Sequence, residues 1–346
     1  MNGQELFKKL ENLSQKYINF KKKEYGDYIL FSYTFVDPTI YEKHPEAIEI
    51  RGITFHKETK DIVSRPFPKF FNFGEKMCTV SADDYGIANE KYDGSLIQVS
   101  KYNDDLIVGT KGSLDPESQF IKESRKIIEN SNNIKELIND YEEYTILFEL
   151  IGPDFRIVLP YKENKLVLIG LRHKKTGKLV GPEELMEIAK HYDLDVAEIK
   201  YKGKIKDIQE QVRPLENIEG VVAYTENGIC KIKTEWYLKN HQIFKLGKKK
   251  IIQMYLNNEL DDYYPYFTDL TKEYVDKVIQ KLNNEALSVK RQVEKFFETY
   301  KPKDKKELAM ILKEKKVGKI AFIFYKYFEG KDLNELVLEY LKRKYC

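Results

Sequence analysis

Few of the residues that most often carry enzyme chemistry are present. The three cysteines, Cys78, Cys230 and Cys346, match no metal-binding spacing and no disulfide framework. Only five histidines occur, so chemistry built on imidazole is disfavoured. Walker-type loops, Gly-x-Ser-x-Gly and His-Glu-x-x-His are missing from the sequence, which argues against P-loop enzymes, serine hydrolases and zinc proteases. The cysteine usage fits a reducing interior, and we expect a cytoplasmic location.

Long apolar runs are also lacking. The longest, near residues 320–325, is far too short to cross a bilayer, so we expect no membrane association. The first 17 residues have the charged pattern of an amphipathic helix rather than that of a signal peptide. Net charge is only +3, from 59 basic and 56 acidic residues, so nucleic-acid binding would need local patches. The 346 residues are enough for two domains.

The most informative stretch is Glu90-Lys91-Tyr92-Asp93-Gly94, followed by an apolar strand pattern. A lysine amine attacks phosphorus only when neutral, so a nucleophilic Lys91 needs a pKa lowered by nearby cations or by desolvation. The Asp-Gly pair predicts a tight turn, and glycine permits close approach of a nucleotide. The plain alternative is a β-turn with a solvated lysine.

Cations and aromatic rings come before this motif. Arg51-Gly52 lies in an expected strand over residues 48–55 and places a cation beside a residue that allows close approach. Residues 64–75 combine four phenylalanines, among them Phe71, with prolines and the cations Arg65 and Lys69. Such a mixture suits base stacking and phosphate binding. The alternative for residues 48–55 is a surface strand with a bulge. The alternative for residues 64–75 is a loop whose phenylalanines pack in the core.

Two carboxylates and a lysine pair come after the motif. Glu149 interrupts an apolar strand, which is costly unless the carboxylate is paired or binds a ligand. Lys231 and Lys233 share one face of a strand that we expect to reach Tyr237. A two-residue loop at Asn227-Gly228 would put Glu219 on the opposite face. We therefore expect a three-residue loop or a bulge at Gly220. A salt bridge for Glu149 and a solvated face for the lysines are the alternatives.

The periodicities predict an α+β chain in two parts. Strand patterns of mostly antiparallel type dominate to about residue 245, with helices over residues 118–141 and 182–191 and a returning strand over 156–161. Helical spacing dominates afterwards. We expect a catalytic domain over residues 1–245 and an all-helical domain over residues 246–346.

Taken together, these residues supply a nucleophile, carboxylates and cations for covalent nucleotidyl transfer. The order Lys-x-Asp-Gly, Phe-Glu, Glu-Gly and Lys-Ile-Lys resembles motifs I, III, IV and V of the DNA ligases, RNA ligases and capping enzymes. Glu49-Ile50-Arg51-Gly52, the segment of residues 64–72 and Lys-Ile-Lys-x-x-Trp-Tyr make the phage-type ATP-dependent RNA ligase 1 family the best match. The resemblance covers about residues 28–240, and its motifs are specific as a set.

The resemblance implies a function for each matching residue. It makes Lys91 the lysine that becomes lysyl-AMP. Lys231 and Lys233 would bind the α-phosphate, and the charge of these two lysines would also lower the pKa of Lys91. Glu219, with Glu149, would hold Mg²⁺ (or Mn²⁺). The further positions expected to contact the nucleotide or a 5′-phosphate are Arg51, Lys69, Phe71, Glu90, Gly94, Lys111, Glu149, Gly220 and Tyr237.

The implied activity is ATP-dependent joining of 5′-phosphate and 3′-hydroxyl ends of single-stranded RNA, through lysyl-AMP and 5′-adenylylated RNA. We expect a monomer of viral or phage origin. A small all-α domain after the catalytic one also fits this family, whereas DNA ligases and capping enzymes usually carry a β-rich OB-fold there. The rival interpretations are another covalent nucleotidyltransferase, namely a DNA ligase or a capping guanylyltransferase, and a non-catalytic RNA-binding module.

Overall fold

The structure is a computed structural model that describes residues 2–345, apart from residues 18, 34–37, 156, 246, 258–259, 261–263, 265–266 and 268. The chain forms two compact units, Met1–Leu238 and Lys239–Cys346. Among the described residues, no helix is long and apolar enough to span a membrane.

The first unit contains the strands and most of the shorter helices. Its strands are β1 (Phe20–Tyr25), β2 (Tyr28–Tyr33), β3 (Ile53–His56), β4 (Ile62–Ser64), β5 (Phe71–Asn72), β6 (Tyr85–Lys91), β7 (Ser95–Tyr102), β8 (Asp105–Thr110), β9 (Tyr144–Ile151), β10 (Lys165–His173), β11 (Ile199–Lys204), β12 (Gly220–Thr225) and β13 (Gly228–Lys233). Its helices are α1 (Gly3–Lys16), α2 (Pro38–Lys43), α3 (Gln119–Glu129), α4 (Asn132–Asp140), α5 (Pro182–His191) and α6 (Ile205–Val212), and α7 (Glu235–Lys245) begins in it.

The strands form three sheets with the orders β1-β2-β3-β4, β10-β9-β7-β8 and β11-β6-β12-β13-β5. Neighbouring strands are antiparallel except β13 and β5, which run parallel. The turn between β6 and β7 carries the chain from the third sheet to the second. Because Lys91 ends β6, this turn holds it at the junction of the two sheets.

Each sheet buries one face against helices. The helix α1 begins with a capping box between Asn2 and Glu5 and packs Phe7 edge-on against Phe31 and Phe55 of the first sheet. Apolar residues of α3, α4 and α5 pack with the second sheet, and those of α6 pack with the third. Helical spacing of these apolar residues explains why the flanking segments are helices.

The second unit is helical, and no strand occurs among its described residues. It contains the end of α7 and the helices α8 (Gly247–Leu256), α9 (Asp269–Tyr300), α10 (Lys305–Glu314), α11 (Ala321–Phe328) and α12 (Leu333–Tyr345). Its core gathers apolar side chains from α8 to α12, including Val275, Val293, Leu308 and Ile323. The α+β prediction with a helical C-terminal part is thereby confirmed.

Several local predictions are wrong. The strand expected over residues 48–55 starts only at Ile53, because Pro45–Glu49 forms a 3-10 helix. The helix expected over residues 118–141 is interrupted between α3 and α4. Residues 157–161 form no strand, and residue 156 lies outside the described residues. The strand expected to reach Tyr237 ends at Lys233, and α7 follows.

A buried ion network holds the segment between β4 and β5. The Glu49 carboxylate binds the guanidinium groups of Arg65 at 2.9 Å and Arg172 at 2.8 Å. Arg172 also donates a hydrogen bond to the Pro66 carbonyl oxygen at 2.7 Å. Burial acts to raise the pKa of Glu49, but Arg172 and Arg65 outweigh it and hold that pKa below its usual value. The network fixes the start of the segment that leads to Phe67 and Phe70.

Removing the shared carboxylate leaves two buried guanidinium groups unpaired. We expect Glu49→Ala to lower the free energy of unfolding by about 3–5 kcal/mol, since an uncompensated buried charge is that costly. The fluorescence of Trp236, the single tryptophan of the chain, reports urea unfolding of the first unit. The control is Glu24→Ala, which breaks the exposed pair with Lys57 and should change the stability far less, because solvent screens an exposed ion pair. Equal losses for the two variants would contradict this assignment.

Candidate active site

The turn after Lys91 is anchored by the carboxylate of Asp93, which is 1% exposed. Its Oδ2 accepts hydrogen bonds from the backbone N–H groups of Val158 at 2.6 Å and Leu159 at 2.8 Å. Its Oδ1 accepts one from the Tyr237 hydroxyl at 2.6 Å. Asp93 therefore ties the turn to two distant segments. Sequence reasoning missed this anchor, because it saw in the Asp-Gly pair only a tight turn.

Gly94 allows the second strand of the turn to pass close to β9. Its N–H donates to Glu149 Oε1 at 3.2 Å, and a Cβ at this position would overlap the Leu150 carbonyl oxygen. Any side chain here would push the start of β7 away from β9. Within the part of the chain that the structure describes, Glu149 forms no ion pair, and the salt-bridge alternative for it stays open.

The carboxylate of Glu219 bridges two lysines. Lys91 Nζ lies 2.9 Å from its Oε2, and Lys233 Nζ lies 2.7 Å from its Oε1. Glu219 is 3% exposed, whereas the two lysine side chains are about one-fifth exposed. A buried carboxylate with two ammonium partners is neutralised on both oxygens, which is how such a group is tolerated inside a protein.

Gly220 explains how Glu219 reaches the lysine face. The register from Gly220–Lys233 to Thr225–Gly228 is continuous, so the loop has two residues, Glu226 and Asn227, and the expected three-residue loop or bulge is absent from this hairpin. Instead Gly220 has φ of +146°, in the region that favours glycine. A Cβ there would overlap the Ile232 carbonyl oxygen. The glycine conformation redirects the chain just before β12.

The charges around Lys91 shift its pKa against our expectation. Burial, the largest effect, lowers the pKa of Lys91, but the carboxylates of Glu219 and Glu149 outweigh it and leave that pKa raised. The prediction that Lys231 and Lys233 lower it is therefore wrong, because Glu219 binds both Lys91 and Lys233 directly. Lys231, a neighbour of Lys91 in the site, has a lowered pKa.

Two further groups near Lys91 titrate close to neutrality. Burial, with the nearby cations Lys69, Arg51 and Lys233, lowers the pKa of Lys231 to about 8. Burial also raises the pKa of Glu149 to about 7, an effect that Lys91 opposes and Glu219 reinforces. Strongly perturbed pairs of this kind are typical of functional sites.

These groups surround a cavity of about 500 Å³ between the second and third sheets. The residues expected from the sequence that line it are Arg51, Glu90, Lys91, Gly94, Lys111, Glu149, Glu219, Lys231 and Lys233. Lys69, Phe71, Gly220 and Tyr237 lie outside its lining. The cavity thus gathers residues spread over about 180 positions of the chain.

From the segment of residues 64–75, Phe67 and Phe70 rather than Phe71 contribute the aromatic wall of the cavity, and Tyr92, Phe120 and Tyr224 line other parts of it. The Arg51 guanidinium and Lys231 Nζ both lie 5.4 Å from the centre of the Phe70 ring. Phe71 is buried and packs edge-on against Tyr41, because neighbouring residues of an extended segment face opposite sides. Cations on an aromatic ring form a surface suited to a base and its phosphate.

The lysines that flank this wall also rest on aromatic rings. Lys111 Nζ lies 4.4 Å from the centre of the Tyr33 ring, and Lys69 Nζ lies 5.5 Å from the same ring and 4.8 Å from that of Phe71. Tyr237 packs beneath Lys233, whose Nζ is 4.8 Å from its ring centre. Lys69 and Tyr237 therefore contact side chains next to the cavity without lining it.

Asn89 is a cavity residue that sequence reasoning missed. It is 4% exposed, and its Nδ2 donates to the Ala197 carbonyl oxygen at 2.6 Å. Its Oδ1 is buried without a hydrogen-bond partner among the described residues. The available signal was alternation along β6, which puts Asn89 on the same face as Lys91, two residues later. An unsatisfied buried acceptor in a cavity wall favours a ligand with a donor group.

Comparison with known proteins agrees with this geometry. Residues 49–244 match the RNA ligase family model, which is more than half of the chain. A protein of Thermovibrio ammonificans named as a candidate RNA ligase is 28% identical over 333 residues, covering 85% of this chain and 83% of the relative. RNA ligase 1 of bacteriophage TS2126 is 26% identical over 250 residues, 67% of this chain and 61% of the phage protein.

A solved structure shares the fold. An archaeal ATP-dependent RNA ligase superposes with a TM-score of 0.55 at 13% identity, over 80% of this chain and 79% of that chain. Similarity at this level of identity concerns the fold alone. With the family match over residues 49–244 and the motif order around Lys91, the chain belongs to the phage-type RNA ligase family.

Proposed function

We propose that this chain joins 5′-phosphate and 3′-hydroxyl ends of single-stranded RNA with ATP, through lysyl-AMP on Lys91 and 5′-adenylylated RNA. The observation that carries the proposal is the position of the Lys91 amine. It lies in the cavity wall, 2.9 Å from Glu219, in a site that also holds Lys231, Lys233 and Arg51. Family membership supplies the reaction class.

In the first step, the Lys91 nitrogen attacks the α-phosphorus of ATP, and the bond from that phosphorus to pyrophosphate breaks. Lys91 attacks only when neutral, so its proton has to leave first. Glu219 Oε2 accepts the hydrogen bond of Lys91 and is placed to take that proton.

In the next steps the same cations serve the RNA. An oxygen of the RNA 5′-phosphate attacks the phosphorus of lysyl-AMP, and the bond from phosphorus to Lys91 breaks. The 3′-hydroxyl oxygen then attacks the RNA 5′-phosphorus, its proton is lost, and AMP leaves. Lys231, Lys233 and Arg51 would offset the charge that develops on phosphate oxygens in each step. Phe70 would stack with a base, in a way that tolerates any sequence.

Two carboxylates fit a divalent cation that arrives with the nucleotide. The described residues contain no group of three or more His, Cys, Asp or Glu side chains that could enclose a metal. Mg²⁺ usually keeps waters and uses one or two carboxylates plus substrate phosphates, so Glu219 and Glu149 suffice. The raised pKa of Glu149 fits this role, since a nearby cation would favour its charged form. Bound there, Mg²⁺ (or Mn²⁺) would offset charge on the α-phosphate.

Covalent labelling tests the first step. Incubation with α-³²P-ATP and Mg²⁺, followed by denaturing electrophoresis, should label the wild type and not Lys91→Ala, because only Lys91 forms the phosphoramidate. Peptide mapping should place the added AMP on Lys91, and GTP should give no label. The matched control is Lys202→Ala, which removes an exposed lysine paired with Glu183 and should label as the wild type does.

A protein purified in the adenylylated form would take up no label, so mass spectrometry of the untreated chain belongs to the same experiment. If neither label nor added AMP is found, the ligase proposal fails and a non-catalytic RNA-binding module replaces it. If GTP labels Lys91 instead of ATP, the capping-type alternative replaces it. Joining assays on 5′-phosphorylated RNA and DNA then separate the ligases.

The pH dependence of the first step should reveal Lys231. Its pKa of about 8 means that the free enzyme loses this charge as the pH rises above 8, while the neutral fraction of Lys91 still increases. Because kcat/KM reports groups of the free enzyme, kcat/KM for ATP should rise with pH up to about 8 and level off above it, where the loss of charge on Lys231 cancels the gain in neutral Lys91. Lys231→Arg keeps its charge at every pH used, so its kcat/KM should continue to rise above pH 8, whatever its absolute rate. Parallel profiles for the two proteins would contradict the assignment.

A further inference from the structure

The two units differ sharply in charge. The helical unit of residues 239–346 contains 24 lysines and arginines against 16 acidic residues, a net charge of +8. The first unit contains 35 against 40, a net charge of −5. The near-neutral total therefore hides a strongly basic module. Such asymmetry between parts of a chain is typical of nucleic-acid contact.

Four of the 24 basic residues of the helical unit line a groove whose described lining contains no acidic residue. Two adjoining hollows run along α9 and share Gln292 and Lys295 in their walls. Their cationic lining is Arg291, Lys295, Lys315 and Lys316, and no acidic residue lines either hollow. We call this surface, from Asn284 to Thr299 on α9 together with residues 315–318, the α9 groove.

Helical geometry places the polar residues of α9 in one line. Asn284, Ser288, Arg291, Lys295 and Thr299 are spaced by three or four residues, so they lie on one face of the helix. They extend over about 22 Å, given a rise of about 1.5 Å per residue. That length accommodates several consecutive phosphates of a nucleic-acid strand.

Three of the cations in the groove have no acidic partner. Arg291, Lys295 and Lys316 are exposed, and none forms an ion pair within the described part of the chain. Lys315 is different, because it pairs with Glu314 at 3.1 Å. Elsewhere in this unit, Lys277, Lys305, Lys326 and Lys344 are all paired with carboxylates. Unpaired cations along a groove are available to phosphates.

The groove also offers an aromatic surface. Tyr300 is 38% exposed at the end of α9, and Lys315 Nζ lies 5.4 Å from its ring centre. Together with the polar side chains Asn284, Ser288 and Gln292, this combines phosphate-binding cations with a ring on which a base can stack. Apolar side chains such as Leu287 and Val317 also line the groove, but the cations without acidic partners make charge complementarity favour a strand of RNA.

We propose that the α9 groove binds the phosphate backbone of the RNA substrate, through Arg291, Lys295 and Lys316. The inference rests on the proposed function for the identity of the nucleic acid. The groove contributes affinity for the strand without sequence preference, because contacts to phosphate carry no base information. It contributes nothing to lysyl-AMP formation, which needs only ATP.

The test compares the full-length wild type with the triple variant Arg291→Gln, Lys295→Gln, Lys316→Gln. The probe is a fluorescently labelled, 5′-phosphorylated single-stranded RNA, titrated at several salt concentrations. Each lost contact to a single strand should reduce the slope of log K against log salt by about 0.7, so we expect a slope shallower by about 2. At 0.15 M salt this corresponds to roughly 50-fold weaker binding. Lysyl-AMP formation should stay at the wild-type level.

Two further variants separate a site from bulk charge. Lys277→Gln, Lys305→Gln, Lys342→Gln removes the same charge from other positions of the unit, and we expect RNA affinity within about threefold of the wild type. Arg291→Lys, Lys295→Arg, Lys316→Arg keeps every charge and should bind RNA as the wild type does. Circular dichroism of all variants reports whether the helices are intact. If the triple variant unfolds, the single variant Arg291→Gln replaces it, with an expected decrease of about 0.7 in the salt slope, and an unchanged slope overturns the proposal.

The outcomes distinguish the two proposals. Wild-type RNA affinity and salt slope in the triple variant overturn the groove, and so does an equal loss in the charge-matched control. Loss of binding to anionic phospholipid vesicles, with RNA binding unchanged, would assign the groove to a membrane surface and overturn the RNA proposal. Failure of the wild type to form lysyl-AMP or join RNA would instead overturn the ligase function.

Discussion

The ion pairs of Glu219 with Lys91 and Lys233 are the constraint around which the site is built. A carboxylate that is 3% exposed is tolerated because both oxygens have an ammonium partner at 2.9 and 2.7 Å. The pairs require Gly220, whose positive φ directs Glu219 to the lysine face. They join the end of β6 to the start of β12 and the end of β13, and so fix Lys91 on the third sheet.

The same ion pairs define the chemical state of the site. With Glu219 and Glu149 close by, the pKa of Lys91 is raised and the amine is charged at neutral pH. A charged lysine attracts phosphate but does not attack it. Activation would therefore require that the effect of Glu219 and Glu149 on Lys91 be offset, and a divalent cation that arrives with the nucleotide would neutralise these two carboxylates. Lys231 has a pKa of about 8 and begins to lose its charge near that pH, so a bound anion would stabilise its charged form.

The sequence was sufficient for the fold class, the family and the charged residues that line the cavity. Lys91 and Glu219 could be found from the Lys-x-Asp-Gly and Glu-Gly motifs, and Glu149 because it interrupts an apolar strand. Lys231 and Lys233 could be found because they share one face of a strand. The anchoring of the turn by Asp93 could not, since its partners at positions 158, 159 and 237 are 65 or more residues away. The direction in which the pKa of Lys91 shifts was missed for the same reason. It depends on which carboxylate packs beside which amine. Whether Phe70 or Phe71 faces the cavity depends on how side chains alternate along a short segment. Composition does not reveal that alternation.

Direct titration of Lys91 tests the central claim. Trace acetylation over a range of pH, followed by mass spectrometry of the Lys91 peptide, measures the pKa of this amine against exposed lysines of the same chain. In the wild type without nucleotide, the pKa of Lys91 should lie above that of exposed lysines, and Glu219→Gln should lower it by removing the carboxylate at 2.9 Å. A wild-type Lys91 that titrates at or below the exposed lysines, with no change in Glu219→Gln, would contradict the account.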